Sequence, residues 1–255
     1  MDFYNLLPEP EETKRFLEFL PEHGLNECLT VAVFLRKKYV KDNPEFAHLS
    51  LSNDDGCWER TIVAHTKKDR HGEFGDKVFR AILGYVRPVG AFVDRNGVSL
   101  PEDVLSLYMS VNPRCAIKGT RELMSELNRQ CFLPTSDEVF VGNIVSRAKT
   151  MVQKNASRKD YADIDIDVKD ESVLHRFRTL VQDWGSEVCT IETRGGFHIL
   201  TDIEKMTKAS DKWYMEISNL TKEYIVDGKE TVEFKTDTLV PIVGSRQGGF
   251  VVKLV

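Results

Sequence analysis

The stretch YADIDIDV, from Tyr161 to Val168, constrains this chain more than any other. Acidic and β-branched residues alternate there with a period of two, and only a strand turns that period into two opposed faces. Ile164, Ile166 and Val168 then share the buried face. Asp163, Asp165 and Asp167 share the other, with neighbours about 6.6 Å apart. Asp is a poor strand former, and like charges that close raise each other's pKa unless a cation lies nearby. Hard carboxylate oxygens on a rigid strand suit Mg²⁺ or Mn²⁺, and paired divalent ions serve in-line phosphoryl and nucleotidyl transfer. The plainer alternative is an acidic, solvated strand face, since 40 of the 255 residues are Asp or Glu.

The segments around this strand predict a β-α-β-β-α-β unit. Val173, Leu174, Phe177, Val181 and Trp184 recur at helical spacing, with Ser172 as the expected cap and Gly185 as the stop. Strands are expected over 187–193 and 197–201, joined through Arg194-Gly195-Gly196. One long helix should carry Met206, Ala209, Trp213, Ile217, Leu220 and Tyr224 on a single stripe. An Asp227-Gly228 turn then leads to strands near 231–234, 239–243 and 250–254.

The first half reads as a mixed α/β module. Helices are expected over 10–20, 74–86, 119–130 and 136–152, and strands over 28–35 and 58–65. Asn96-Gly97 predicts a tight hairpin turn with positive φ. Leu105, Leu107, Met109 and Val111 alternate with polar residues, the pattern of a half-buried strand. The expected fold class is therefore α+β, with modules at 1–155 and 156–255 and a boundary within 154–159.

Composition narrows the function classes. A net charge of -5 argues against a wholly basic coat for nucleic acid but leaves room for a local basic groove. Arg147, Lys149, Lys154, Arg158 and Lys159 crowd the segment before the aspartate strand and offer such a stripe, or else a solvated helix face. Asn112-Pro113-Arg114 and Lys118 are further candidates for the same contacts, or a plain turn. Cys28, Cys57, Cys115, Cys131 and Cys189 are odd in number and scattered, as expected of buried thiols in a reducing compartment. The longest nearly apolar run, Leu29 to Leu35, falls far short of the roughly 20 residues of a membrane span. With no secretion signal in the N-terminal residues, the expectation is a cytoplasmic protein without a membrane partner.

Two more constellations carry potential chemistry. In Thr193-Arg194-Gly195-Gly196-Phe197-His198, glycines allow close backbone approach, Arg194 offers a cation for phosphate, and His198 can donate to a phosphate oxygen. Lys235-Thr236-Asp237 precedes an apolar stretch and Gly244-Ser245-Arg246-Gln247-Gly248-Gly249. Asp237 is a candidate third carboxylate, and the following loop a candidate phosphate or ribose cradle. Each constellation alone also reads as an ordinary turn.

Taken together and in this order, the three resemble the catalytic core of the archaeo-eukaryotic primase superfamily, which includes primase small subunits and primase-polymerases. Ile164-Asp165-Ile166-Asp167 resembles its first motif, Arg194-Gly195-Gly196-Phe197-His198 its second, and Lys235-Thr236-Asp237 its third. The likeness covers about the last third of the chain. Glu192 or Thr193 stands where many primases carry Ser, Arg246 or Gln247 where His or Lys is common, and no Cys/His cluster suggests a zinc stem.

The resemblance implies a primase-like fold, an N-terminal mixed module packed on a C-terminal RRM-like (ferredoxin-like) catalytic module. It implies template-directed nucleotidyl transfer on single-stranded DNA or RNA with nucleoside triphosphates. Asp165, Asp167 and Asp237 would hold two Mg²⁺ or Mn²⁺ ions, and Arg194, Gly195, Gly196, His198, Ser245 and Arg246 would bind the nucleotide. Asp163 would be a neighbour of the metal site and not a ligand. A separate helicase or accessory replication protein is an expected partner. A metal-dependent nuclease or phosphotransferase, and a binding module that has lost catalysis, remain open alternatives.

Overall fold

The computed structural model describes residues 2–39, 46, 57–66, 73–94, 96–132, 144–226, 228–237 and 239–255. Helix α1 (Pro10–Glu18) begins with Pro at its first position and carries Glu11 and Glu12 in its first turn, where acids complement the helix dipole. Then come β1 (Glu27–Leu35), β2 (Cys57–Ala64), α2 (Glu73–Leu83), β3 (Leu105–Ser110), β4 (Arg114–Cys115), α3 (Ala116–Phe132) and α4 (Ile144–Lys154). The second half runs β5 (Tyr161–Ile166), α5 (Glu171–Asp183), β6 (Glu187–Glu192), β7 (Phe197–Asp202), α6 (Ile203–Ala209) and α7 (Trp213–Lys222). It finishes with β8 (Ile225–Val226), β9 (Lys229–Glu230), β10 (Val232–Lys235), β11 (Leu239–Pro241), β12 (Arg246–Gln247), β13 (Phe250–Val251) and β14 (Lys253–Leu254).

The chain is thus α+β with antiparallel sheets. The second sheet has the order β10-β5-β7-β6-β14, and its first four strands realise the β-α-β-β-α-β unit, with the aspartate strand β5 at an inner position. Ala162, Ile164, Ile166, Phe197, Ile199 and Val232 leave one face of it and bury against Phe177, Met206 and Ile217 of the covering helices. The other face offers Cys189, Ile191 and Leu200 to the core shared with the first sheet, and beside them the polar residues of the candidate site.

The first sheet runs β13-β12-β3-β1-β2, with β11 also on β3 and β4 on β1. Strands β11, β12 and β13 come from the end of the chain, so residues after 238 complete the layer begun by residues 27–64. Near the C-terminus β13 belongs to the first sheet and β14 to the second, the switch falling at buried Val252. Asn112 splices the layers. Its Nδ2 donates to the Tyr161 and Thr236 carbonyls at 2.7 and 3.0 Å, and its Oδ1 accepts from the Asp160 and Tyr161 amides at 3.0 and 2.8 Å.

Four local expectations are corrected. Strand β3 is buried on both faces, since Ser106, Tyr108 and Ser110 are as enclosed as their apolar neighbours. Helix α5 is capped by Asp170, whose Oδ1 accepts from the Ser172 amide at 2.8 Å and from its hydroxyl at 2.6 Å. The single long helix is two, α6 and α7, interrupted at 210–212 where Ser210 is extended. The Asn96-Gly97 turn puts only Gly97 at positive φ, because Asp94 Oδ1 accepts from the Asn96 and Val98 amides, each at 2.8 Å, and shapes the turn itself. Asp227 and the first part of the expected helix at 136–152 lie outside the described residues.

At the β6–β7 hairpin, Gly196 lies against the end of β5: an added Cβ would fall 1.8 Å from the Ile166 carbonyl oxygen and 2.9 Å from the Val168 nitrogen. Backbone on both sides leaves nothing to yield. Gly196→Ala should therefore lower stability by about 3 kcal/mol or prevent folding, read as a lower thermal midpoint. Asp170→Ala, which removes only a cap, should lower the thermal midpoint far less in the same assay.

Candidate functional site

Asp165 on β5 pairs directly with His198 on β7, and Asp163 with Lys235 on β10. Partners across antiparallel strands point to the same side, so three segments remote in sequence converge on one sheet face. His198 Nδ1 lies 3.0 and 3.2 Å from the two carboxylate oxygens of Asp163 and 3.6 Å from Asp165 Oδ1. Lys235 Nζ donates to Asp165 Oδ2 at 2.9 Å and pairs with Glu233 at 2.6 Å. The ligand atoms of Asp163, Asp165 and His198 lie within 4.8 Å of one another, and among the described residues no other three His, Cys, Asp or Glu groups gather so closely.

Burial sorts the three aspartates. Asp163 is 1% exposed, Asp165 is half-buried at the sheet's rim, and Asp167, just past the end of β5, is exposed. Burial raises the Asp163 pKa, opposed by the charge and hydrogen bond of His198. For His198, burial works to lower the pKa, but the charge and hydrogen bond of Asp163, helped by Asp165 and Asp167, outweigh it and carry it to about 9. Burial thus disfavours charge on both groups, and each favours the charged form of the other across their shared hydrogen bond. Lys235 is likewise raised: burial acts against its charge, and Glu233 and Asp165 more than compensate.

A cavity of about 150 Å³ opens above these groups. Asp165, Asp167, Thr193, Gly195, His198 and Lys235 line it from the second sheet, and Arg36, Lys38, Tyr39, Tyr108, Leu239 and Gln247 from the first layer. The Tyr108 hydroxyl accepts from Arg36 Nη2 at 2.5 Å, from Arg36 Nε at 3.1 Å and from Gln247 Nε2 at 3.0 Å. Burial raises the Tyr108 pKa, so the phenol stays protonated. Against two carboxylates, Asp165 and Asp167, the wall sets three basic side chains, Arg36, Lys38 and Lys235, and the imidazolium of His198.

Several expected residues are elsewhere. The Asp237 carboxylate accepts from Arg114, whose side chain is 1% exposed, and it is absent from the cavity wall. Of the expected trio, Asp165 and Asp167 line the cavity while Asp237 is paired with the buried Arg114 guanidinium, and the groups gathered beside Asp165 are Asp163 and His198. Arg194 is exposed, donates from Nη1 to the Gly248 carbonyl at 2.7 Å and stacks on Tyr39 with 4.7 Å to the ring centre. Its backbone amide donates to Gln247 Oε1 at 2.9 Å, so Arg194 ties the hairpin to the β12–β13 turn. Ser245 is buried with its hydroxyl donating to the Ile242 carbonyl at 2.5 Å, and Arg246 pairs with Glu102 at 3.0 Å. Neither lines the cavity. Gly195 does, while Gly196 is buried as a packing residue behind it.

Sequence reading missed Arg36, Lys38, Tyr39 and Tyr108, and had Gln247 only as part of the candidate cradle loop. The signal was there in part: R36-K37-K38-Y39 is a basic and aromatic run directly after a buried strand, and Tyr108 lies on the polar side of β3. Asp165 and Asp167, two carboxylates at an open rim, suit one hard divalent cation. A second ion would lack the third carboxylate. Among the described residues no helix is long and apolar enough to cross a membrane. No family model, no curated protein and no solved structure matches this chain.

Two measurements follow from these pairings. The His198 imidazole should titrate near pH 9 by ¹⁵N NMR rather than at its ordinary 6.5. Because its folded pKa is raised, its contribution to stability is complete below 6.5 and is lost as pH rises through 9. In denaturant titrations from pH 6.5 to 10, Asp163→Asn should flatten that decline, since the histidine then loses its counter-charge. Separately, Asp237→Ala should lower stability by about 1 kcal/mol, because it removes one charged partner of the buried Arg114 guanidinium. Asp167→Ala, at an exposed position, should cost less than about 0.5 kcal/mol.

Proposed function

We propose that this protein is a nucleotidyltransferase of the primase or primase-polymerase type, acting at the cavity between β5, β7 and the first layer. The observation that carries the reading is the register of Asp165 opposite His198. It brings two of the three motif segments side by side in the strand order of a ferredoxin-like unit, and β10, which leads into the third, lies on the other flank of β5. In this reading Asp165 and Asp167 hold a Mg²⁺ or Mn²⁺ ion, which when bound supplies positive charge to the attacking hydroxyl and the leaving pyrophosphate.

The chain's own residues do the rest. His198, kept cationic by Asp163, presents a fixed positive charge to a phosphate oxygen. Lys235 neutralises Asp165 and so keeps the carboxylates together, and Arg36 and Lys38 give the triphosphate its remaining counter-charge. These two take the role first expected of Arg194, Ser245 and Arg246. Gly195 lets the backbone approach the ligand at the cavity wall without a side chain in between.

A second reading, a primase-like module that binds nucleic acid without catalysis, is favoured by one observation. Asp165 and Asp237 already have cationic partners, Lys235 and Arg114, and need no metal for charge balance.

Incubation with a single-stranded DNA template, labelled ribo- and deoxyribonucleoside triphosphates and Mn²⁺ or Mg²⁺ separates the readings. Labelled product is expected from the native chain, with a loss of at least 100-fold in Asp165→Ala/Asp167→Ala. Template binding with no product in any condition supports the second reading. Metal-dependent degradation of the template without added triphosphates supports a nuclease instead.

A further inference from the structure

We infer that the helical hairpin formed by α3 and α4 is a docking surface for the phosphate backbone of single-stranded nucleic acid. Its charge is the first reason. The two helices carry six basic residues (Lys118, Arg121, Arg129, Arg147, Lys149, Lys154) and two acidic ones (Glu122, Glu126), a net of +4 within a chain of net charge -5.

The second reason is where those charges go. Both acids are used inside the hairpin, Glu126 pairing with Arg147 at 2.9 Å and Glu122 accepting from Asn155 Nδ2 at 2.7 Å. Lys118, Arg121 and Arg129 recur at spacings of three and eight, share one side of α3, and are exposed. None of the three forms an ion pair among the described residues. A stable fold gains nothing from such a row, whereas a polyanion releases counterions onto it.

The third reason is the mounting. Gly119 lets the helices approach closely, since a Cβ there would lie 2.7 Å from the Val152 backbone. The Cys115 amide donates to the Asn155 carbonyl at 2.7 Å, and Arg60 Nη1 donates to Thr150 at 3.0 Å, fastening the hairpin to the first sheet. Its root continues into the catalytic half. Arg114, which begins β4 just before α3, holds Asp237, and Lys159, shortly after α4, donates to Thr236 Oγ1 at 3.0 Å. The base of the basic hairpin therefore touches Thr236 and Asp237, next in sequence to Lys235 of the cavity wall. In its choice of ligand the inference extends the proposed function, but the binding itself does not require catalysis.

The test is fluorescence anisotropy of the full chain with labelled oligo-dT at several salt concentrations, using Lys118→Glu/Arg121→Glu/Arg129→Glu. A second variant, Lys212→Glu/Lys222→Glu/Lys229→Glu, changes net charge equally at exposed positions on or near α7. The hairpin variant should bind at least tenfold more weakly, and the slope of log affinity against log salt should shrink by about 2, at roughly 0.7 per lost phosphate contact in single strands. The α7 variant should stay within threefold of the native chain. Equal weakening of both variants, native-like binding by the hairpin variant, no oligonucleotide binding at all, or binding of phosphatidylserine vesicles in place of oligo-dT would each overturn the inference. A native chain that binds oligo-dT through the hairpin but incorporates no nucleotide would sink the proposed catalysis and leave this inference standing. Incorporation with unchanged binding in the hairpin variant would do the reverse.

Discussion

The buried pair of Asp163 and His198 sets the terms for the rest of the site. A carboxylate that is 1% exposed is costly to keep charged, and the imidazole 3.0 Å away supplies both proton and counter-charge. Once His198 is held cationic, Asp165 can lie 3.6 Å from it without repulsion dominating. Lys235 then fixes the other side of Asp165. Each charge at the cavity floor is stabilised by the one before it, beginning from an aspartate that has no access to solvent. Asp163 is therefore a supporting residue beneath the cavity and contributes no group to its wall.

The cavity has two halves of different origin. The second sheet supplies carboxylates and histidine, and the first layer supplies Arg36, Lys38, Tyr39 and Tyr108. Gln247 joins them by bonding both the Tyr108 hydroxyl and the Arg194 amide. That junction depends on the last strands of the chain returning to the first sheet. It makes the two modules one unit in packing, because β11 and β12 lie on β3 while β14 lies on β6. The same return path carries Asp237 toward Arg114, a pairing that decides how many carboxylates are free at the rim. Outside the cavity, Lys118, Arg121 and Arg129 form an exposed row of cations on α3, while Glu126 and Glu122 are engaged by Arg147 and Asn155.

What the primary structure determined by itself was local. Alternation in YADIDIDV dictated a strand with isoleucines on one face and aspartates on the other, because a pleat leaves no other arrangement of those residues. Periodicity gave α1, α2, α3 and α5, and the order of strands and helices after residue 160 implied the unit that forms. Asp165, Asp167, His198 and Gly195 could be picked out for the same reason: their chemistry is written in residue type and in position at strand ends and turns. Tertiary structure decided everything that depends on which long-range neighbour reaches a charge first. Arg114 takes Asp237, Gly248 takes Arg194, Glu102 takes Arg246, and Ile242 takes the hydroxyl of Ser245, so four residues with suitable chemistry lie outside the cavity wall. Tyr108 enters it from β3 and Arg36 from just past the end of β1, both far back along the chain from β5 and β7. No spacing rule in a linear chain encodes such pairings, because they follow from the docking of two sheets and not from the conformation of either segment.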